Sequence, residues 1–418
     1  MNIIIHPGFA KGDVKIPPSK SYLHRAIICA SLAEGKSVIK NIILSEDVKA
    51  TINALKTVGI QINKLDNALE IYGRKEFPFI GDEVIDCNES GSTLRFLIPL
   101  LTNMKGILFT GKRGLFKRPL SIYKDIYERN NLSFSLIEES LFTKGTIEAG
   151  NYIINGNISS QFISGLLFAL PLKSTDTTIE IVDPFESKKY VDMTIKVLSE
   201  FGINIQINNN IYFIKGNQQY KPKDYIVEAD YSQAAFFAVA GIINGEISIS
   251  NLNEETLQPD YDIISIIKKM NGKIVKEKND FRFLKSKTKG IEIDVSQCPD
   301  LSPILAVLGG LSEGKTVIKN VSRLKLKEID RLSAIVDYLT VLGVKTNSDE
   351  NTIEIFGQQF FTPKEFNTYN DHRIVMALAI SALRSNKPLR INNINVINKS
   401  YPGFIDDLEN LGIKVEYV

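Results

Sequence analysis

One strand pattern recurs six times along the chain. It is a short run in which apolar and polar residues alternate, and it closes on Asn41, Gly111, Asp183, Asn251, Asn320 and Asn392. The successive spacings are 70, 72, 68, 69 and 72 residues. A fixed period of this kind is typical of structural repeats, so the pattern predicts six repeats that span nearly the whole chain.

Each repeat strand is followed by a segment whose apolar residues return at helical spacing. In residues 260–272 and 330–343 they recur at i, i+3, i+4 and i+7, which predicts helices with one buried face. Glycine adopts the left-handed conformation that closes a helix, and Asn is its usual substitute. The predicted closing residues are Gly59, Gly202, Gly272, Gly343 and Gly412, with Asn131 or a neighbouring Asn in the second repeat.

A second helix in each repeat is apolar on nearly every side, as in residues 94–101, 162–172 and 234–243. A helix of this kind is normally buried by its neighbours. Three repeats would therefore pack their buried helices together inside a shell of sheet and outer helices, and six would make two such globes. An open solenoid is the alternative, and it is disfavoured because solenoid repeats usually have about 20–50 residues.

Composition narrows the functional classes. The chain has 418 residues and a formal net charge of +2, and at roughly 150 residues per domain this length suggests two or three domains. Near neutrality argues against a broad basic surface for nucleic acid or membrane, so any anion must be bound by individually placed residues. Cys29, Cys87 and Cys298 lie far apart, which argues against a disulfide framework or a zinc site. Without a leader-like or long apolar segment, we expect a soluble, untargeted chain.

Polar residues stand at the start of every buried helix. Ser and Asp are good N-caps, so helix capping is the better interpretation of any one of them. Capping does not explain four nearby cations, which the helix dipole disfavours by about 0.3–1 kcal/mol each. A bound phosphate or carboxylate would resolve the conflict, since helix N-termini donate free N–H groups to anions. The alternative is that each cation extends to solvent. The four are Lys20, Arg25, Arg95 and Arg373.

The loops after the repeat strands carry more cations. The loop of the fifth repeat, residues 323–331, is the most charged, and on its own it would be interpreted as a solvated surface. Carboxylates accompany the cations at Asp300, Glu328 and Asp371. Ionised carboxylates can act as bases, so two anions held among these residues would suit a group transfer between acidic small molecules.

Nine short motifs follow one another in a fixed order along the chain. They are PPSKSYLHRA (17–26), SGSTLRF (90–96), KRPL (117–120), SSQF (159–162), SKKY (187–190), CPD (298–300), KEIDR (327–331), NDHR (370–373) and NKSYPGF (398–404). This ordered set resembles the 5-enolpyruvylshikimate-3-phosphate synthase family, also called 3-phosphoshikimate 1-carboxyvinyltransferases. The resemblance covers essentially the whole chain and implies transfer of the enolpyruvyl group of phosphoenolpyruvate to the 5-hydroxyl of shikimate 3-phosphate, with release of phosphate, in the pathway to chorismate and the aromatic amino acids.

The resemblance also implies a fold of α/β (α+β) class, with two globes of three βαβαββ-type repeats each around buried helices. The upper globe would hold residues 20–227, and the lower globe residues 1–19 and 228–418, with a cleft that closes on substrate. We expect a cytoplasmic enzyme, a monomer, with no cofactor, no metal and neither a nucleic-acid nor a membrane partner.

The same resemblance implies roles for individual residues. Asp300 would take the proton from the 5-hydroxyl, and either Glu328 or Lys20 would handle the methylene and methyl proton. The implied contacts to shikimate 3-phosphate are Lys20, Ser21, Arg25, Ser159, Ser160, Gln161, Ser187, Tyr190, Asp300 and Lys327. The implied contacts to phosphoenolpyruvate are Lys20, Gly91, Arg118, Gln161, Arg331, Arg373 and Lys399.

Three other functions compete with this interpretation. UDP-N-acetylglucosamine 1-carboxyvinyltransferases usually place a Cys or Asp in the loop corresponding to residues 112–118, and this chain has neither there. An RNA 3′-phosphate cyclase would want a basic groove with aromatic residues, and this chain has no Trp. A non-catalytic anion-binding scaffold would have no use for carboxylates such as Asp300 and Glu328. Two departures from the family pattern, Glu89 and Arg323, bear on inhibitor sensitivity more than on the reaction.

Overall fold

The chain divides into two units in the computed structural model, which describes residues 1–77, 83–101, 103–112, 114–277, 280–364 and 369–418. The central unit is Pro18–Glu228, and the terminal unit combines Met1–Pro17 with Ala229–Val418. Residue 113, in the loop 112–118 where the UDP-N-acetylglucosamine enzymes usually carry a Cys or Asp, lies outside the described residues.

Buried and amphipathic helices alternate along the chain, as the repeat pattern predicts. The odd-numbered helices are the apolar segments and are buried along most of their length. The described α-helices are α1 (Lys20–Leu32), α2 (Glu46–Thr57), α3 (Gly91–Leu100), α4 (Ser121–Arg129), α5 (Ser160–Ala169), α6 (Lys188–Glu200), α7 (Tyr231–Asn244), α8 (Asp262–Lys269), α9 (Ser302–Gly310), α10 (Arg331–Val341), α11 (His372–Ala382) and α12 (Phe404–Asn410).

Strands occupy the segments between the helices. In chain order the described strands are β1 (Ile3–Ile5), β2 (Ala10–Lys15), β3 (Gly35–Lys40), β4 (Gln61–Lys64), β5 (Ala68–Gly73), β6 (Val84–Asp86), β7 (Asn103–Thr110), β8 (Ser133–Ile137), β9 (Ser140–Gly145), β10 (Asn151–Asn155), β11 (Thr177–Val182), β12 (Ile205–Asn208), β13 (Ile211–Ile214), β14 (Tyr225–Ile226), β15 (Gly245–Ser250), β16 (Lys273–Glu277), β17 (Asp280–Leu284), β18 (Glu292–Asp294), β19 (Lys315–Lys319), β20 (Lys345–Ser348), β21 (Thr352–Phe356), β22 (Leu389–Ile391) and β23 (Val415–Tyr417).

Five sheets of the described chain share one topology. The repeat strand has a parallel neighbour on one side and an antiparallel pair on the other, as in β14-β3-β5-β4 and β18-β19-β21-β20. The last repeat differs, because its order is β22-β1-β23 and the N-terminal strand β1 runs antiparallel to both neighbours. The terminal unit therefore needs both ends of the chain to complete its third sheet.

Asparagine closes several repeat strands for a conformational reason. Asn41, Asn251 and Asn320 have φ of 58°, 67° and 61°, a left-handed conformation that Asn tolerates better than most residues. The side chain of Asn41 donates to the carbonyl of Val227 at 2.6 Å, and that of Asn251 donates to Ile16 at 2.9 Å. The side chains of Asn41 and Asn251 thus hold the ends of their strands to the residue that follows the neighbouring parallel strand.

The predicted helix closures are correct with one exception. Gly59, Gly202, Gly343 and Gly412 have φ between 79° and 84°, and Asn131 has φ 55°. After α8 the left-handed residue is Asn271, with φ 66°, so the assignment to Gly272 was wrong. The reason is where the helix ends: α8 stops at Lys269 with Met270 as its C-cap, so Asn271 occupies the position after the cap.

Each unit has its own hydrophobic core, built on its three buried helices. In the terminal unit α7, α9 and α11 pack on one another, and in the central unit α3 packs on α5. The rings of Phe96 on α3 and Phe168 on α5 meet edge to face at 5.4 Å. The helix starts, where the polar residues lie, are held in place by these cores.

Gly73 at the end of β5 tests this packing. An added Cβ would lie 2.1 Å from the carbonyl oxygen of Ala30 and 2.3 Å from that of Ala33, both backbone atoms at the end of α1. We expect Gly73→Ala to lower the free energy of unfolding by about 3 kcal/mol, measured by denaturant titration. The control is Gly150→Ala, where no atom lies within 4 Å of the added carbon. Equal losses in the two variants would contradict the packing argument.

Candidate active site

The buried helices are capped as the sequence suggests, with one exception. Ser90 accepts from the N–H of Thr93 at 3.1 Å, and Asp371 accepts from the N–H of Arg373 at 2.9 Å. Ser19, Ser159 and Asp230 cap α1, α5 and α7 in the same way. Capping is wrong for Asp300, which lies in a short 3₁₀ turn (Pro299–Leu301) before α9. Its carboxylate has other partners.

Three cations converge on the carboxylate of Asp300. Its Oδ1 accepts from Lys327 Nζ at 3.0 Å and from Arg331 Nη1 at 2.9 Å. Its Oδ2 accepts from Arg373 Nη2 at 3.0 Å. The loop of the fifth repeat, the start of α10 and the start of α11 thus meet at one residue.

Arg331 links Asp300 to two further carboxylates. It is only 1% exposed, donates from Nε to Asp371 at 2.7 Å and from Nη2 to Glu328 at 2.6 Å. Lys399 Nζ lies 3.8 Å from the other oxygen of Glu328. We call this set the terminal cluster, and it consists of Asp300, Lys327, Glu328, Arg331, Asp371, Arg373 and Lys399.

The terminal cluster shifts the pKa values of its members. Burial raises the pKa of Asp300, but the charges of Arg373, Lys327 and Arg331 outweigh burial and hold that pKa well below its usual range. Burial lowers the pKa of Lys327, and the charge of Asp300 opposes this effect. Asp300 is therefore ionised at neutral pH.

The charged loop of the fifth repeat is not simply a solvated surface. Lys325 and Asp330 are exposed, but Arg323 and Arg331 are buried and Lys327 is half-buried. The interpretation as a solvated face was therefore wrong for the cations that matter to the site. In this loop Lys325 and Asp330 face solvent, whereas Lys327, Glu328 and Arg331 belong to the terminal cluster.

In the central unit, Lys20 forms an ion pair that the sequence did not reveal. Its Nζ lies 2.8 Å from Oδ2 of Asp47, and both side chains are mostly buried. Asp47 sits in the first turn of the amphipathic helix α2, where an acidic residue is ordinary because it suits the helix dipole. Nothing in the sequence marked it as the partner of a lysine 27 positions earlier.

A buried chain of hydrogen bonds joins α1, α2 and the start of α3. His24 Nδ1 lies 2.8 Å from Thr51 Oγ1, which lies 2.7 Å from Thr93 Oγ1. Thr93 also donates to Ser90 at 2.7 Å. Burial lowers the pKa of His24 to about 3, so the ring is neutral at physiological pH.

Gly91 lies against the guanidinium of Arg118. A Cβ at this position would be 2.8 Å from Arg118 Nη1, and 3.7 Å from Arg95 Nη1 and Gln161 Oε1. Arg95 donates to that Gln161 oxygen at 2.8 Å. The absence of a side chain at Gly91 thus lets the guanidinium of Arg118 approach the start of α3. We call Lys20, Asp47, Gly91, Arg95, Arg118 and Gln161 the central cluster.

Arg25 supports the site from within. It donates to Thr194 Oγ1 at 2.8 Å and to the carbonyls of Ser21 at 2.8 Å and Tyr190 at 3.0 Å. Burial lowers the pKa of Arg25 to about 10. These contacts fix the start of α6, including Tyr190, against α1.

The alternative that the helix-start arginines extend to solvent is wrong. Arg25, Arg95 and Arg373 are 3%, 7% and 5% exposed.

Two of the predicted serines lie at helix starts. Ser160 follows the cap of α5, and Ser187 precedes α6 with a left-handed φ of 54°. A non-glycine residue in that conformation costs about 1–3 kcal/mol and is often found where a loop holds a ligand.

Among the residues that the structure describes, no group of three or more His, Cys, Asp and Glu is placed to hold a metal ion. No helix there is long and apolar enough to span a membrane. Cys29, Cys87 and Cys298 are buried, and burial raises the pKa of the Cys29 and Cys87 thiols.

The model of the family EPSP synthase (3-phosphoshikimate 1-carboxyvinyltransferase) matches residues 6–408. The chain belongs to the EPSP synthase family. It is 46% identical to the 3-phosphoshikimate 1-carboxyvinyltransferase of Clostridium acetobutylicum, over 99% of this chain and 98% of the relative. It is 44% identical to that of Clostridium novyi, over 98% and 97%. The family predicted from the motifs is therefore confirmed.

Solved structures have the same fold. An EPSP synthase from Acinetobacter baumannii superposes with a TM-score of 0.81 at 24% identity, over 100% of both chains. The enolpyruvyl transferase NikO from Streptomyces tendae gives 0.79 at 16% identity, over 100% of this chain and 98% of the other. The predicted α/β fold of an EPSP synthase is confirmed.

Asp371 tests how far the terminal cluster stabilises its unit. We expect Asp371→Ala to lower the free energy of unfolding by about 3–5 kcal/mol, because it leaves the buried Arg331 short of a counter-ion. The matched control is Asp330→Ala, an exposed cap of α10 whose loss should cost about 1 kcal/mol. Both are measured by denaturant titration, and similar losses would show that Asp371 acts as a cap alone.

Proposed function

We propose that this chain transfers the enolpyruvyl group of phosphoenolpyruvate to the 5-hydroxyl of shikimate 3-phosphate and releases phosphate. Family membership over nearly the full length supports the reaction. The observation that carries the proposal is the convergence of Lys327, Arg331 and Arg373 on Asp300. Cations beside an ionised carboxylate supply both the anion binding and the base that the reaction needs.

We assign the residues of both clusters to the two substrates. Arginine pairs bidentately with carboxylate and phosphate, and lysine supplies a point charge. Shikimate 3-phosphate is assigned to Lys20, Ser21, Arg25, Ser159, Ser160, Gln161, Ser187, Tyr190, Asp300 and Lys327. Phosphoenolpyruvate is assigned to Lys20, Gly91, Arg118, Gln161, Arg331, Arg373 and Lys399.

The proposed mechanism is an addition followed by an elimination. The 5-oxygen bonds to C2 of phosphoenolpyruvate while its proton passes to Asp300 and the methylene carbon gains a proton. In the second step a proton leaves that methyl group and the C2–phosphate bond breaks. Glu328 contacts Arg331 and Lys399, both assigned to phosphoenolpyruvate, and Lys20 is assigned to it directly. One of these two residues, Glu328 or Lys20, gives the proton to the methylene carbon in the first step and takes it from the methyl group in the second.

The ion pairs of Asp300 couple substrate binding to basicity. With three cations in contact, its pKa is well below the usual range and it is a weak base. Anionic substrates give Lys327, Arg331 and Arg373 other partners, which weakens their hold on Asp300. Its pKa then rises toward the value that a general base requires, and only when the substrates are bound.

We further propose that the two units are the predicted globes, residues 20–227 and residues 1–19 with 228–418. The enzyme is proposed to act in the cytoplasm as a monomer, with no cofactor or metal. Size-exclusion chromatography with light scattering tests the monomer.

Phosphate release tests the proposed function. The purified protein should release inorganic phosphate when shikimate 3-phosphate and phosphoenolpyruvate are both present, and not when either is omitted. Mass spectrometry should show an enolpyruvyl adduct of shikimate 3-phosphate. Release only with UDP-N-acetylglucosamine would favour the sister reaction, and no release with either acceptor would refute the assignment.

Asp300→Asn separates the base from the binding site. We expect single-turnover rates to fall by about 10²–10⁴-fold, because Asn has no proton affinity comparable with a carboxylate. Binding of phosphoenolpyruvate, measured by calorimetry, should weaken far less, since the cations remain. Asp330→Asn, an exposed change near the same loop, serves as the control. Equal losses of binding and turnover would remove Asp300 from the role of base.

A further inference from the structure

The guanidinium of Arg373 has a partner that the proposed mechanism does not use. Its Nη1 donates to the hydroxyl of Ser232, on the first turn of α7, at 2.5 Å. The same hydroxyl is hydrogen-bonded to the carboxyl group of Asp260, which is 3% exposed. The buried carboxylate of Asp260 is thus linked through Ser232 to Arg373, the arginine that contacts Asp300.

The chemistry of the three groups fixes the direction of these bonds. A guanidinium has only donors, so Ser232 Oγ must accept from Arg373. A hydroxyl has a single proton, which Ser232 then donates to Asp260. The order is therefore Arg373 to Ser232 to Asp260, with the carboxylate as the final acceptor.

Asp260 is held in place by the turn that carries it. The short 3₁₀ turn Pro259–Tyr261 follows Gln258, whose amide oxygen accepts from the N–H of Tyr231 at 3.0 Å. Gln258 Nε2 also donates to the carbonyl of Ala229 at 2.7 Å. The rings of Tyr261 and Tyr231 meet edge to face at 5.2 Å. Gln258 before Asp260 and Tyr261 after it therefore both hold this turn to the start of α7.

Asp260 is not needed to cap α7. Asp230 already does so, by accepting from the N–H of Gln233 at 3.2 Å. Burying a carboxylate is costly, so its presence at this depth calls for another reason.

We propose that Asp260 is a positioning residue which, through the hydroxyl of Ser232, holds the guanidinium of Arg373 in line with Asp300. This inference rests on the proposed function, because it assigns Arg373 to the anionic substrate. Arg373 has Ser232 on Nη1 and Asp300 on Nη2, 3.0 Å away, so its plane is fixed from two sides. When the substrate draws Nη2 from Asp300, the bond to Ser232 remains and keeps the orientation.

The charged groups around Asp260 give the proposal a pH signature. Burial raises the pKa of Asp260 to about 7, Asp300 and Asp230 act in the same direction, and Arg373 and the bond from Ser232 oppose them. Below about pH 7 the carboxyl is therefore neutral and holds Ser232 less strongly. We expect kcat/KM for phosphoenolpyruvate to fall as the pH drops through this value.

Stability should change in the opposite sense from activity. The pKa of Asp260 is higher in the folded chain than in the unfolded chain, so the unfolded chain binds fewer protons between about pH 4 and pH 7. Stability therefore declines as the pH rises through that range. Removing the charge in Asp260→Asn should raise Tm at pH 8, whereas removing a merely structural ion pair would lower it.

The experiment compares Asp260→Asn, Ser232→Ala and the double variant. We expect each single change to lower kcat/KM for phosphoenolpyruvate about tenfold. The kcat/KM of the double variant should be no lower than that of the less active single variant, because the two residues act through the same series of hydrogen bonds. Asp260→Asn should also lack the acidic limb near pH 7. The control is Ser302→Ala, which removes a buried hydroxyl near the start of α9 that makes no hydrogen bond within the described chain.

The outcomes separate this inference from the function on which it rests. A wild-type protein that releases no phosphate would overturn both. An active wild type with an unchanged Asp260→Asn variant, additive losses in the double variant, or the same pH profile in both proteins would overturn the positioning role alone. A fall in Tm of Asp260→Asn at pH 8 would assign the carboxylate to stability.

Discussion

Buried positive charge is the constraint that organises the polar part of this molecule. A guanidinium cannot release its proton in a protein, so a fully buried Arg331 requires carboxylates around it. Asp300, Glu328 and Asp371 meet that requirement. The ends of α9, α10 and α11 are where these groups come together, and the apolar helices behind them provide the rigid support. The residues that balance the charge of Arg331 thus lie beside those to which the anionic substrates are assigned in the proposed function.

Both units place charged residues at the starts of their buried helices, but the net charge of the two clusters differs. In the central cluster Lys20, Arg95 and Arg118 outnumber the single carboxylate of Asp47, whereas the cations of the terminal cluster are nearly balanced. The central cluster therefore has the larger net positive charge. In the terminal cluster each cation is already paired with a carboxylate, so the proposed substrates would have to compete with these ion pairs.

The repeat architecture was predictable because its signals are short sequence patterns that recur in each repeat. The Asn at strand ends, the Gly or Asn at helix ends and the apolar helices each reflect one short stretch of chain. Among the predicted closing residues only Gly272 misled, because α8 ends one residue earlier than that glycine implies and Asn271 takes the left-handed conformation. Asp47 and Asp260 were not predictable. Each is an ordinary acidic residue at a helix start or turn, and only the folded chain shows what it faces. Asp300 was found as a candidate base from its motif, but its departure from capping required the structure.

The strand β1 at the centre of the last sheet has a consequence for biosynthesis. It is synthesised well before its partners β22 and β23, since Ile3 pairs with Ile391 and with Tyr417. At about 5–20 residues per second, β1 waits on the order of 20–80 s before its sheet can form. The central unit has all its strands once β14 is complete. The apolar strand β1 therefore has no strand of its own sheet to pair with until β22 and β23 have been made, and in this interval a chaperone that binds apolar segments would protect it.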